Sequence, residues 1–116
     1  MPVQRDYILR LLEQAAAVVR RLREMLAGGG ASPSEIAEQA RAAQAELFGE
    51  TWALLQRVEV STAIGLIRDA RQLALWADLL RIEAEANRQL GDEQRAQDLE
   101  ARAVKIAVAL PPPGAR

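Results

Sequence analysis

Apolar residues recur at three- and four-residue spacing over most of this chain. Tyr7, Ile8, Leu11, Leu12, Ala15, Val18, Val19, Leu22, Met25 and Leu26 form one stripe, with Arg5, Arg10, Glu13, Gln14, Arg20, Arg21 and Arg23 between them. That period predicts a long amphipathic helix. Pro2 suits its first turn, and Gly28-Gly29-Gly30 stops it, because glycine loses the most backbone entropy in a helix and accepts left-handed geometry. Ser32-Pro33-Ser34-Glu35 then predicts a new start, with Ser32 as cap and Pro33 where a missing N–H costs nothing. Ile36, Ala37, Ala40, Ala43, Leu47 and Phe48 give this second helix its apolar side, and Gly49 predicts a break. A short helical piece over Thr51 to Arg57 follows.

Glu59-Val60-Ser61-Thr62 reads as a connector, with Ser61 a candidate N-cap and Asp69 a candidate cap for the next helix. One continuous helix from Ser61 to Leu90 is the alternative, since no proline or glycine follows Gly65 within it. Leu73, Trp76, Ala77, Leu80, Ala84 and Ala86 form the inner face in either case. Gly91 and Asp92 close that helix and cap the last one, which carries Ala96, Leu99, Ala103, Val104, Ile106, Ala107 and Leu110. Pro111-Pro112-Pro113 ends it. The expected architecture is all-α: a compact bundle of about five helices in one domain over 1–110, with a disordered proline-rich tail over 111–116.

Composition narrows the chemistry. The chain has 116 residues, 50% apolar and 27% charged, with net charge −1 and no Cys or His. A chain this size supports one modest core. Thiolate nucleophiles, imidazole bases, disulfides and zinc clusters are excluded. No catalytic set is read: Ser32, Ser34 and Ser61 stand at capping positions without a His or Lys base, and the carboxylates mostly have an Arg within four positions. An enzyme would require a buried carboxylate with a raised pKa in a cleft. No phosphate-loop motif, calcium-loop spacing, metal site or cofactor is expected. A pI near 5.5 disfavours nucleic acid. No apolar run approaches the roughly 18 residues of a membrane span, and the start lacks the order of a signal peptide, so a cytoplasmic protein is expected. Arg outnumbers Lys fourteen to one, which reads as the codon usage of a GC-rich genome.

The opening Arg5-Asp6-Tyr7-Ile8-Leu9-Arg10-Leu11-Leu12-Glu13-Gln14 resembles a family of short, uncharacterised bacterial helical proteins that begin with a D-Y-I-L-R helix and end in a tetratricopeptide-like hairpin. Ala77 to Leu110 is similar to one such repeat, with Ala84, Ala86, Gly91-Asp92, Ala96, Ala103, Val104 and Ile106 at its small or apolar positions. Glu83, Asn87 and Glu100 depart from the pattern, standing where large apolar residues belong. The resemblance implies no activity. It does imply a ligand-holding face on the hairpin's first helix, here Asp78, Arg81, Glu85, Arg88 and Gln89, which equally reads as a solvated ladder of ion pairs. Self-association is expected through Tyr7, Ile8, Leu11, Leu12, Ala15 and Val18, a stripe wider than one Ala-rich neighbour covers. The aromatic residues Tyr7, Phe48, Trp52 and Trp76 are expected as core anchors, or else as interface hot spots. The functional expectation is a non-catalytic protein-interaction or self-assembly module in the form of a homodimer; the alternative is a carrier or sensor holding an apolar small molecule in an Ala-lined pocket.

Overall fold

The computed structural model describes residues 2–111, with side chains from Arg5 onward. Among the described residues the chain forms six α-helices and no strand: α1 (Pro2–Gly28), α2 (Pro33–Phe48), α3 (Trp52–Arg57), α4 (Val60–Leu66), α5 (Ala70–Gln89) and α6 (Glu93–Ala109). A 3-10 turn, Gly49–Thr51, leads into α3. None of these helices is long and apolar enough to cross a membrane. The expected proline-rich tail falls largely on residues 112–116, outside the described residues.

The helix ends follow local chemistry. Gly29 takes φ 67° and its N–H donates to the Met25 carbonyl at 3.1 Å. The Glu35 N–H donates to Ser32 Oγ at 3.2 Å, fixing the start of α2. Asp69 Oδ1 accepts from the Arg71 N–H at 2.8 Å, so 61–90 is two helices. Arg71 also clamps this carboxylate with its side chain, and that bond holds Asp69 below the usual carboxylate range. Gly91 (φ 88°) and Asp92, whose Oδ1 accepts from the Arg95 N–H at 3.1 Å, turn α5 into α6. At Gly49, φ 57° with ψ −130° lies where an L side chain is strained, although space for a Cβ is open. Gly49→Ala should therefore destabilise by about 2 kcal/mol through the backbone alone, measurable in a urea melt.

One cap differs from the expectation. Helix α4 starts at Val60 with Glu59 as N-cap and no side-chain cap bond, so Ser61 lies inside the helix. Val60 is buried with Ala63 and Ile67, and this packing outweighs the capping preference of serine.

Helix α5 is the centre of the fold. Ten of its twenty residues are buried, more than one apolar stripe requires, because it packs on both sides. On one side Leu79, Ile82 and Ala86 meet Leu12, Ala15, Val19 and Leu22 of α1 and Ile36, Ala37, Ala40, Ala43 and Leu47 of α2. On the other, Leu73, Trp76, Ala77, Leu80 and Ala84 meet Ala96, Leu99, Ala103 and Ile106 of α6, with Leu55, Val60, Ala63 and Ile67 closing the end. Alanines on α2, α5 and α6 remove the bulk that would hold the backbones apart. Phe48 packs against both clusters and forms their seam.

Candidate functional site

A polar network lies between these clusters. Gln44 of α2 and Glu83 of α5 are 1% and 2% exposed, in an interior built mostly from apolar side chains. Gln44 Nε2 donates to Glu83 Oε1 at 2.8 Å and to the Ala40 carbonyl at 3.2 Å. Gln44 Oε1 accepts from Trp76 Nε1 at 3.1 Å. One amide thus satisfies a buried indole and one oxygen of a buried carboxylate, which would otherwise make burial costly. Asn87, also buried, donates to the Glu83 backbone carbonyl at 2.8 Å.

Three arginines surround this network. Glu83 Oε2 lies 3.7 Å from an Arg41 nitrogen and 3.5 Å from an Arg95 nitrogen, both too far for a hydrogen bond, and this buried oxygen has no hydrogen-bond partner. Arg102 sits over the Trp76 ring at 5.6 Å and donates to the Leu55 carbonyl at 3.4 Å, while its buried Nε has no partner. Burial, and secondly the charge of Arg95, hold the Arg102 guanidinium below its ordinary value; Glu83 acts in the opposite sense. Arg41, Trp52, Gln56, Glu83, Arg95 and Arg102 line a cavity of about 40 Å³ here. Trp52, which lines the cavity, meets Trp76 edge-on at 6.3 Å, and Phe48 meets Trp76 edge-on at 5.2 Å, so Trp52 is held in a packed aromatic group.

This site was legible only in part. Gln44 lies on the same helical stripe as Ala37, Ala40 and Leu47, and Glu83 on the stripe of Trp76, Leu80 and Asn87. A polar residue on an apolar stripe was the available signal. Glu83 and Asn87, which depart from the repeat pattern, are both buried.

The charged face read on α5 is largely taken up by pairs within the chain. Asp78 pairs with Arg23 of α1 at 3.1 Å. Arg88 pairs with Glu85 at 3.0 Å, with Glu93 at 3.3 Å and with Glu100 of α6. The Glu100 carboxylate, supported by Glu85 and Glu93, holds the Arg88 guanidinium above its ordinary value. Gln89 donates to Glu85 at 3.4 Å, and Arg81 is exposed. Four of these five side chains therefore clip α5 to α1 or α6 or to one another. Solvent screens partly exposed pairs of this kind, so each contributes little.

The α1 stripe divides into two parts. Leu12 and Ala15 are 8% and 5% exposed, facing the chain's own core, so this pair is not surface. Leu11 and Val18 are half-buried and border a groove against α2 that encloses about 10 Å³, room for about one water. Tyr7, Ile8 and Leu9 are 60%, 38% and 37% exposed. Tyr7 is thus not a core anchor; its turn of α1 precedes the first residue that a neighbouring helix covers. Val104 is likewise on the outside of α6, leaving Ala103 and Ile106 to face the core. Comparison with protein-family models, curated proteins and solved structures returns no match to this chain.

Proposed function

We propose that the chain is a non-catalytic interaction module that assembles as a homodimer through the exposed Tyr7–Leu9 stretch of α1. The observation that carries this reading is the run of large apolar side chains, Tyr7, Ile8 and Leu9, that are exposed together near the start of α1. Helix α1 has 27 residues against 16 in α2, so it is longer by about 16 Å and outruns its neighbour. A second copy is the occupant that fits. Arg5, Asp6, Arg10 and Glu13 supply two charges of each sign, which lets two such segments lie antiparallel without net repulsion. The D-Y-I-L-R opening that carries the family resemblance falls on this same stretch. The α5–α6 hairpin is read as tetratricopeptide-like, supported by Ala77, Ala84, Ala96 and Ala103 in one buried cluster.

Ile8→Asp tests the assignment. It places a charge on an exposed turn, so the fold should lose no more than about 0.5 kcal/mol while the dimer dissociates. Light scattering after gel filtration should then read a monomer for the variant and a dimer for the native chain. Leu12→Asp is the contrasting control, expected to unfold the protein because it buries an unpaired charge. A variant at Ile8 with the native mass would overturn the reading.

A further inference from the structure

The cavity beside Glu83 holds an imbalance of charge and of hydrogen bonds. Three guanidinium groups line it, from Arg41, Arg95 and Arg102, against Glu83 as the sole carboxylate among the described residues that do so. Three positive charges less one negative leave an excess of two. Two buried polar atoms on the lining residues lack partners, one an acceptor, Glu83 Oε2, and one a donor, Arg102 Nε. Folded proteins leave few such atoms, because a buried polar group without a partner has lost its hydration with nothing in return. About 40 Å³ is room for roughly three waters, or for one small oxyanion.

These features define the guest. It carries negative charge for the arginines, and it also carries a hydrogen to give to Glu83 Oε2. A carboxylate or sulfate at neutral pH meets the first condition only, and would set its lone pairs against those of Glu83. A phosphate that keeps one proton meets both, with P–O⁻ oxygens for the guanidiniums and a P–O–H for the carboxylate. We propose that the cavity between α2, α3, α5 and α6 binds a protonated phosphate group, with Arg41, Arg95 and Arg102 as its anion ligands and Glu83 as the acceptor that reads its proton. Free inorganic phosphate keeps at least one proton at neutral pH and fits this description, whereas a monoester, with its second pKa near 6, has mostly lost it. Trp52, half-buried at the wall, reports the occupancy. This site is separate from the exposed turns of α1 and does not depend on the dimer.

Titration calorimetry on the full chain, in a buffer free of oxyanions at neutral pH, provides the test. Inorganic phosphate should bind and quench or shift tryptophan emission. Sulfate, of similar size and shape, should bind at least about tenfold more weakly, the cost of losing a hydrogen bond to a charged group. Glu83→Gln keeps an oxygen for Gln44 Nε2 and puts an amide donor in place of Oε2, so the preference for phosphate over sulfate should vanish. Arg95→Ala, at a half-exposed side chain, should keep the native circular dichroism and lose about tenfold or more in phosphate affinity. Methyl phosphate, which is mostly without a proton at neutral pH, should bind more weakly than inorganic phosphate; tighter binding would overturn the role of Glu83 as the reader of a proton. No phosphate binding by the native chain would overturn the site, as would equal affinity for phosphate and sulfate. If Glu83→Gln does not fold, the native phosphate-to-sulfate ratio and Arg95→Ala decide the matter.

Discussion

Trp76→Ala should destabilise the protein by about 4 kcal/mol, near the upper end for a large-to-small change in a core. Trp76 is fully buried and is the largest such side chain. Its ring supports Phe48 and Trp52 on its edges and Arg102 on its face, so truncation removes packing from three neighbours at once. It also strands Gln44 Oε1, which accepts from its Nε1. For a domain of this size the melting temperature should fall by roughly 15 °C, read by far-ultraviolet circular dichroism. Trp76→Phe separates the two contributions. It keeps an aromatic ring and loses the N–H, and should cost about 1–2 kcal/mol for the unpaired amide oxygen, together with the lost ring volume. Equal losses for both variants would mean that the hydrogen bond, and not the packing, dominates.

The second large effect belongs to Gln44. Gln44→Leu is close in volume but leaves Trp76 Nε1 and Glu83 Oε1 without the partners they have at 3.1 and 2.8 Å. The expected cost is about 3 kcal/mol, from two buried groups left unpaired, one of them charged. Combining it with Glu83→Leu should cost less than the two single changes added together, because removing both members of a buried polar pair removes the unmet demand. Urea denaturation of the four proteins of this cycle measures the coupling. Strict additivity would show that Gln44 and Glu83 are not joined energetically.

The helices and most of their ends were readable in the sequence because they rest on short-range chemistry. Ser32, Asp69 and Asp92 cap through bonds spanning two or three residues, and Gly29, Gly49 and Gly91 turn through their own backbone. The exception, Val60, was decided by burial against distant residues, which no local preference records. The candidate sites follow the same division. The charged face of α5 was visible as a pattern, but whether it faces solvent or clips helices together depended on where Arg23 and Glu100 arrive. The cavity was less legible still. Gln44 and Glu83 are 39 residues apart, and Arg102 reaches the carbonyl of Leu55 across 47. Gln44 and Glu83 stand on apolar stripes, but what they meet there depends on α5 being covered on both sides. In α1, periodicity placed Tyr7, Ile8, Leu12 and Ala15 on one apolar stripe without showing where the covering helix ends.

The assembly reading turns on whether the exposed Tyr7–Leu9 stretch finds a second copy. Sedimentation velocity of the native chain, from low to high micromolar concentration, measures this directly. The account predicts a dimer whose population rises with concentration and which disappears in Ile8→Asp. A native chain that remains monomeric at high micromolar concentration would contradict it.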